Sequence, residues 1–178
     1  MRMADRIQVR SMRGILSSLV VLSVVATAAP AFAQATAMGK NGAWGIYSYN
    51  SSSGKVCYAM SMPTQKLPET LDHGDIFFFI SPKAGRPNTF EIQFQTAYNM
   101  QQGSKVNLTV DGDKKFVLFT EGKSAWLENV NDEPAVIDAM RRGSEMKVSA
   151  VSGRGNPTNY TFSLSGVTAS LNAIQNCR

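Results

Sequence analysis

Apolar residues recur at every second position through most of this chain, and that period restricts it to a sheet protein. Trp44, Ile46 and Ser48 fall on one side of a stretch whose other side carries Tyr47 and Tyr49. Val56, Tyr58 and Met60 alternate in the next, with Cys57 on the opposite face. Phe90, Ile92 and Phe94 alternate with Glu91, Gln93 and Gln95, and Val106, Leu108 and Val110 alternate with Asn107 and Thr109. Strand signals return at 116–119, 124–127, 146–151 and 160–164. Asp111-Gly112-Asp113 is the best hairpin signal, because Asp and Gly tolerate the left-handed backbone of a tight turn. Two short helical patterns interrupt the strands. Pro134 suits a first turn, Val136, Ile137 and Met140 share a face, and Gly143 reads as the residue just past the end. Ser165 reads as the cap of a last helix whose Val167, Leu171 and Ile174 share a face. The expected fold is mainly β: an antiparallel β-sandwich or barrel-like sheet of about 8–9 strands, with two short helices, one at the C-terminus.

The first 33 residues do not follow this period and read as a signal peptide. Arg6, Arg10 and Arg13 precede an uncharged run from Ile15 to Ala29, and Ala31-Phe32-Ala33 forms an A-x-A cleavage signature before Gln34. As a helix the run rises roughly 22 Å, short of the ~30 Å hydrocarbon core of a membrane. No Cys follows it, so a lipid anchor is not indicated, and no membrane span is expected after cleavage. Residues 34–42 read as a flexible lead, and residues 43–178 as a single β-rich domain. Removing Arg2, Arg6, Arg10, Arg13 and Asp5 leaves 14 basic and 12 acidic residues, a net of +2. The high pI belongs largely to the discarded end, and nucleic acid is not an expected partner because no basic stripe remains.

Two cysteines remain, Cys57 and Cys177. An even count in an oxidising compartment predicts a disulfide. Two buried thiols or a redox pair are the alternatives, and the lack of a C-x-x-C argues against the second. A bridge would close a loop of about 120 residues between an early strand and the last helix.

Chemistry-bearing motifs are few. His73, in the loop Thr70–Asp75, is the chain's one histidine, which excludes multi-histidine metal sites. An exposed turn histidine is the favoured reading, and a hydrolase using His73 with a nearby carboxylate is the competing one. No G-x-S-x-G elbow or phosphate-cradling loop is present, and no catalytic residue, cofactor or metal ligand is indicated. Ile76 to Ile80 is apolar on both faces, as a strand covered on both sides would be. The other reading presents Phe77 and Phe79 to a partner. Aromatic residues make up 9% of the chain, an amount a β core can absorb without a carbohydrate platform. The candidate interaction surfaces are the Pro63–Gly74 loop with His73, the Phe77/Phe79 face, and the Arg154 loop.

The order of short motifs resembles the invasion-associated locus B proteins of Gram-negative bacteria. Trp44 is followed by Lys55-Val56-Cys57-Tyr58, Ser61 and Pro63, then by Asp111-Gly112, Phe116 and Ala125-Trp126. The helix ending Ala139-Met140-Arg141-Arg142-Gly143 comes next, and Tyr160-Thr161-Phe162-Ser163-Leu164-Ser165-Gly166 leads to a helix closing on Cys177. The resemblance implies an exported β protein, periplasmic or secreted and surface-associated. It links pathogenic members to host-cell entry. The signal, the cysteine pair and the lack of a catalytic constellation point to a non-enzymatic role in host-cell interaction or envelope function through an unidentified protein or envelope partner. A periplasmic chaperone or assembly factor is a further alternative, and it would expose an apolar groove or an unpaired strand edge.

Overall fold

The alternating segments form one antiparallel sheet with a helix after its ninth strand and another after its last. The computed structural model describes residues 34–52 and 54–177. Residues 1–33, where a signal peptide with cleavage between Ala33 and Gln34 is expected, lie outside them, and Gln34 is the first described residue. The strands are Thr36–Asn41 (β1), Trp44–Ser51 (β2), Gly54–Ser61 (β3), Gln65–Leu67 (β4), Phe77–Pro82 (β5) and Phe90–Gln95 (β6). They continue with Lys105–Val110 (β7), Lys114–Glu121 (β8) and Ser124–Leu127 (β9). A 3-10 turn, Val130–Asp132, enters helix Glu133–Arg142 (α1), and Glu145–Val151 (β10), Pro157–Ser163 (β11) and helix Val167–Gln175 (α2) complete the chain. The order across the sheet is β1-β2-β3-β5-β6-β9-β8-β7-β10-β11-β4.

Eleven strands exceed the expected eight or nine, and the two additions are the sheet's edges. β1 occupies most of the segment expected to be a flexible lead. Its sequence, Thr-Ala-Met-Gly-Lys-Asn, has no apolar alternation and is largely exposed. It is a strand because it pairs with β2, with a register shift between Ala37 and Gly39. β4 is three residues long and pairs with the far edge of β11. Neither edge carries a period-two signal, because neither buries a face.

The sheet curls so that its two halves enclose one core. Phe78 (β5) and Phe94 (β6) meet Phe162 (β11) with ring centroids 5.7 and 6.4 Å apart, although β5 and β11 are far apart in the sheet order. Trp44 is fully buried, packs edge-on against Phe78, and donates its indole N–H to the Ser163 carbonyl at 3.1 Å. These contacts join the start of β2 to the end of β11. β1 and β4 do not pair with each other, so the sheet stays open.

Glu133, at the start of α1, is only 5% exposed. One carboxylate oxygen accepts the Lys83 ammonium and the other accepts the Phe90 N–H, both at 2.6 Å. A buried charge is tolerated because both oxygens are paired. At the other end, Gly143 has an extended backbone, not the left-handed one its place suggested. A Cβ there would lie 2.5 Å from a Val110 methyl, so the glycine is needed for closeness. Ser165 does not cap α2. Gly166 takes that position with a φ of 87°, and a Cβ on it would sit 2.1 Å from the Asn41 carbonyl oxygen. Ser165 instead offers its carbonyl to the Ala43 N–H at 3.0 Å. Val167, Leu171 and Ile174 are buried where α2 packs over β2 and β3.

Cys57 on β3 and Cys177 beyond α2 form a disulfide with Cα atoms 6.2 Å apart across 120 residues. Cross-linking so long a loop removes much of the unfolded chain's freedom. Reduction is expected to lower the unfolding free energy by about 3–5 kcal/mol. Urea unfolding with and without a phosphine reductant checks this; an unchanged midpoint would refute it.

Candidate functional site

Two surfaces collect the residues that carry chemistry. The first is a cleft of about 670 Å³ between the loop before β5, the loop after β6 and the loop joining β10 to β11. Asp72, His73, Tyr98, Asn99, Arg154 and Thr158 are among the residues that line it. Asp72 accepts the Gly74 N–H at 3.0 Å and turns the chain there. Gly74 has a φ of 58°, and a Cβ on it would lie 2.5 Å from the Ala97 Cβ. The turn therefore presses the loop against its neighbour and carries His73 inward.

His73 is only 6% exposed, which corrects the expectation of an exposed turn histidine. Its Nε2 lies 3.0 Å from the Pro68 carbonyl oxygen, which can only accept, so Nε2 bears a proton. In the neutral ring Nδ1 is then an acceptor, and the Tyr160 hydroxyl donates to it at 2.9 Å. The Tyr160 oxygen accepts from Tyr98 at 2.7 Å, and Tyr98 lies 2.8 Å from the Thr158 hydroxyl. Every member of this chain has a partner. Burial, together with the hydrogen bond to Tyr98, pushes the Tyr160 phenol far above the ordinary tyrosine value, so it stays protonated at physiological pH. With both ring nitrogens of His73 committed, the arrangement pins the 68–74 loop to β11. Arg154 stays exposed at the rim, on the loop that Gly153 ties to the Asn99 carbonyl at 2.7 Å.

The sequence had a signal for this network. Thr158, Tyr160 and Phe162 alternate on one side of β11, and a phenol on a buried face needs a partner. The partners come from loops without periodicity, which hid them.

The second surface is the outer face of the sheet. Ile76, Phe78 and Ile80 are fully buried, but Phe77 and Phe79 are half-exposed on the opposite side. A strand covered on both faces is therefore not what forms. Phe79 lies 5.7 Å from Phe77 and 5.9 Å from Tyr58 between ring centroids. Tyr58 stacks on Tyr47 at 5.4 Å with an 18° interplanar angle, and Tyr49 lies beside it. Further along the same face, Phe119 stacks on Trp126 at 5.8 Å. Seven aromatic side chains thus lie outside the core, so the core does not absorb the aromatic content. Burial, and then the neighbouring Tyr47 and Tyr49, raise the Tyr58 phenol above its usual value. Among the described residues there is no cluster of three or more metal-ligating side chains, and no helix is long and apolar enough to cross a membrane.

A curled antiparallel sheet with a disulfide-tethered C-terminal helix defines the class of this domain. Residues 44–175 match the family described as Invasion associated locus B (IalB) protein, and the chain belongs to that family. The crystal structure of invasion associated protein B from Bartonella henselae is similar. It shares 16% identity at a TM-score of 0.58, over 76% of this chain and 92% of that one. At that identity the likeness is one of fold. No curated protein is significantly similar in sequence.

The raised Tyr160 value sets an alkaline limit on stability. Below the ordinary phenol value, about 10, folded and unfolded chains both hold the proton. Above it the unfolded chain loses the proton first, so stability falls as pH rises. Tyr160→Phe is expected to cost about 1–3 kcal/mol at neutral pH by leaving His73 Nδ1 unpaired, and to flatten the alkaline decline. Denaturant titrations of both proteins on either side of that pH check this; parallel alkaline declines would refute it.

Proposed function

We propose that this protein is an exported, non-enzymatic envelope or surface protein that acts by binding, in host-cell contact or envelope function. The half-exposed aromatic band on the outer sheet face carries this reading. Large contiguous apolar patches are rare on soluble monomers and mark surfaces that meet a partner. The secretory signal, the disulfide and membership in the family support it. So does the printed name of the similar Bartonella protein, invasion associated protein B. The hydrolase reading is the weaker, because His73 spends both nitrogens on Pro68 and Tyr160 and turns neither to the cleft. One observation favours the chaperone or assembly reading: among the described residues β1 has no neighbour on its outer side. An unpaired edge can accept a strand from another chain.

Export predicts a mature N-terminus at Gln34 when the full chain is made in a Gram-negative host. N-terminal sequencing checks this, and retention of Met1 would overturn it. A photo-cross-linking residue at Phe77 is expected to capture an envelope or host-surface component at micromolar concentration, whereas one at the exposed Asn172 of α2 captures none. Capture at neither position, or equally at both, would refute the outer face as the contact surface. Capture from a residue placed on β1 alone would favour the strand-acceptor reading.

A further inference from the structure

We propose that the outer sheet face is a platform for a neutral oligosaccharide, a ligand class that deepens the binding reading above and rests on it. The strand register lays the platform out. Met60, Phe79, Gln93, Trp126 and Phe119 stand in one cross-strand row. Tyr47 and Tyr58 pair in the neighbouring row. Phe79 and Trp126 are two strands apart, roughly 10 Å, about the length of two linked sugar rings. Gln93 stands between these two ring clusters.

The tyrosine end is shaped by a missing side chain. A Cβ on Gly45 would lie 2.6 Å from the Tyr47 ring, so that ring fills the space a larger residue would take. Tyr58 then stacks on Tyr47 at 18°. The aromatic groups are held by their neighbours, which lowers the cost of ordering them on binding.

Polar groups for sugar hydroxyls lie in the same place. Gln93 donates its amide N–H to the Ser124 hydroxyl at 2.9 Å, which sets the direction of its free carbonyl oxygen. Ser81, Glu91 and Gln95 line the same shallow groove of about 290 Å³ beside Tyr58 and Phe79. A pyranose ring has a C–H face that packs on an aromatic ring and a rim of hydroxyls that pair with planar amides and carboxylates. This groove offers both.

The other occupants fit less well. A second copy or an apolar protein face would bury Glu91, Gln93 and Gln95 away from water, at a cost unless each found a partner. A polyanion would meet Glu91, the one charged side chain lining the groove. Neutral sugar leaves the carboxylate as an acceptor.

The test titrates the mature, disulfide-bonded protein with cellotetraose, chitotetraose and maltotetraose, by calorimetry and tryptophan fluorescence. Trp44 is fully buried, so an emission change reports Trp126. Saturable binding to at least one sugar is expected, weakened about tenfold or more in Gln93→Ala and in Phe79→Ala. Circular dichroism checks that both variants fold, and Gln93→Ala carries the test if Phe79→Ala does not. No binding by the unaltered protein at about 1 mM sugar would overturn the proposal. Binding untouched by Gln93→Ala would also overturn it. So would a concentration-dependent dimer that the variants dissolve. Capture of a partner at Phe77 without sugar binding would overturn the sugar platform and leave the broader binding reading standing.

Discussion

Phe78, Phe94, Tyr160 and Phe162 meet across the middle of the molecule, and the rest of the structure hangs on that contact. A single sheet of eleven strands has two faces, and this one buries its inner face by curling over it, with α2 covering β2 and β3. The ring cluster is where the curl closes. It brings β5 and β6 against β11 and draws the Trp44 indole to the Ser163 carbonyl. It also fixes which side of every strand looks inward. The face carrying Phe79, Gln93 and Trp126 is the outer one because Phe78, Phe94 and Ala125 are taken by the core.

The same cluster has a polar continuation. Tyr160 belongs to the core by its ring, which lies 5.5 Å from Phe94, and to the cleft by its hydroxyl. A buried hydroxyl must be paired, and the pairing recruits His73 and Tyr98 from two other places in the chain, with Tyr98 paired in turn to Thr158 on the same strand as Tyr160. Loop order near the cleft is thus a consequence of core packing. At the opposite end, the Cys57–Cys177 bridge and the close pass of Gly166 beneath Asn41 tie α2 to the first strands. Gly166 has no substitute there, since any Cβ would meet a backbone carbonyl oxygen.

How much of this was legible depends on whether a residue's role was local. The segments that bury a face were legible, because burial writes a period of two into the sequence. β1 and β4 were not, because an exposed edge strand owes its form to the strand beside it. Glu133 was invisible as a buried charge, since its partners Lys83 and Phe90 lie far away in the chain. For the candidate surfaces, Phe77 and Phe79 stood out as aromatic. Tyr47 and Tyr49 stood out only as the other side of an alternation, and Tyr58 as a member of the alternating set opposite Cys57. Their assembly into one band needed the register of β2, β3 and β5.

The sequence by itself determined the sheet, its antiparallel hairpin at Asp111-Gly112, the two short helices, and a cysteine pair able to bridge an early strand to the C-terminus. These follow from spacing along the chain, which is local information. Only the tertiary structure decided that His73 turns inward and that the extra strands cap both edges. It also decided that seven aromatic rings face outward. An alternating strand defines two faces but does not say what covers each, and that is settled when distant strands curl around a shared core.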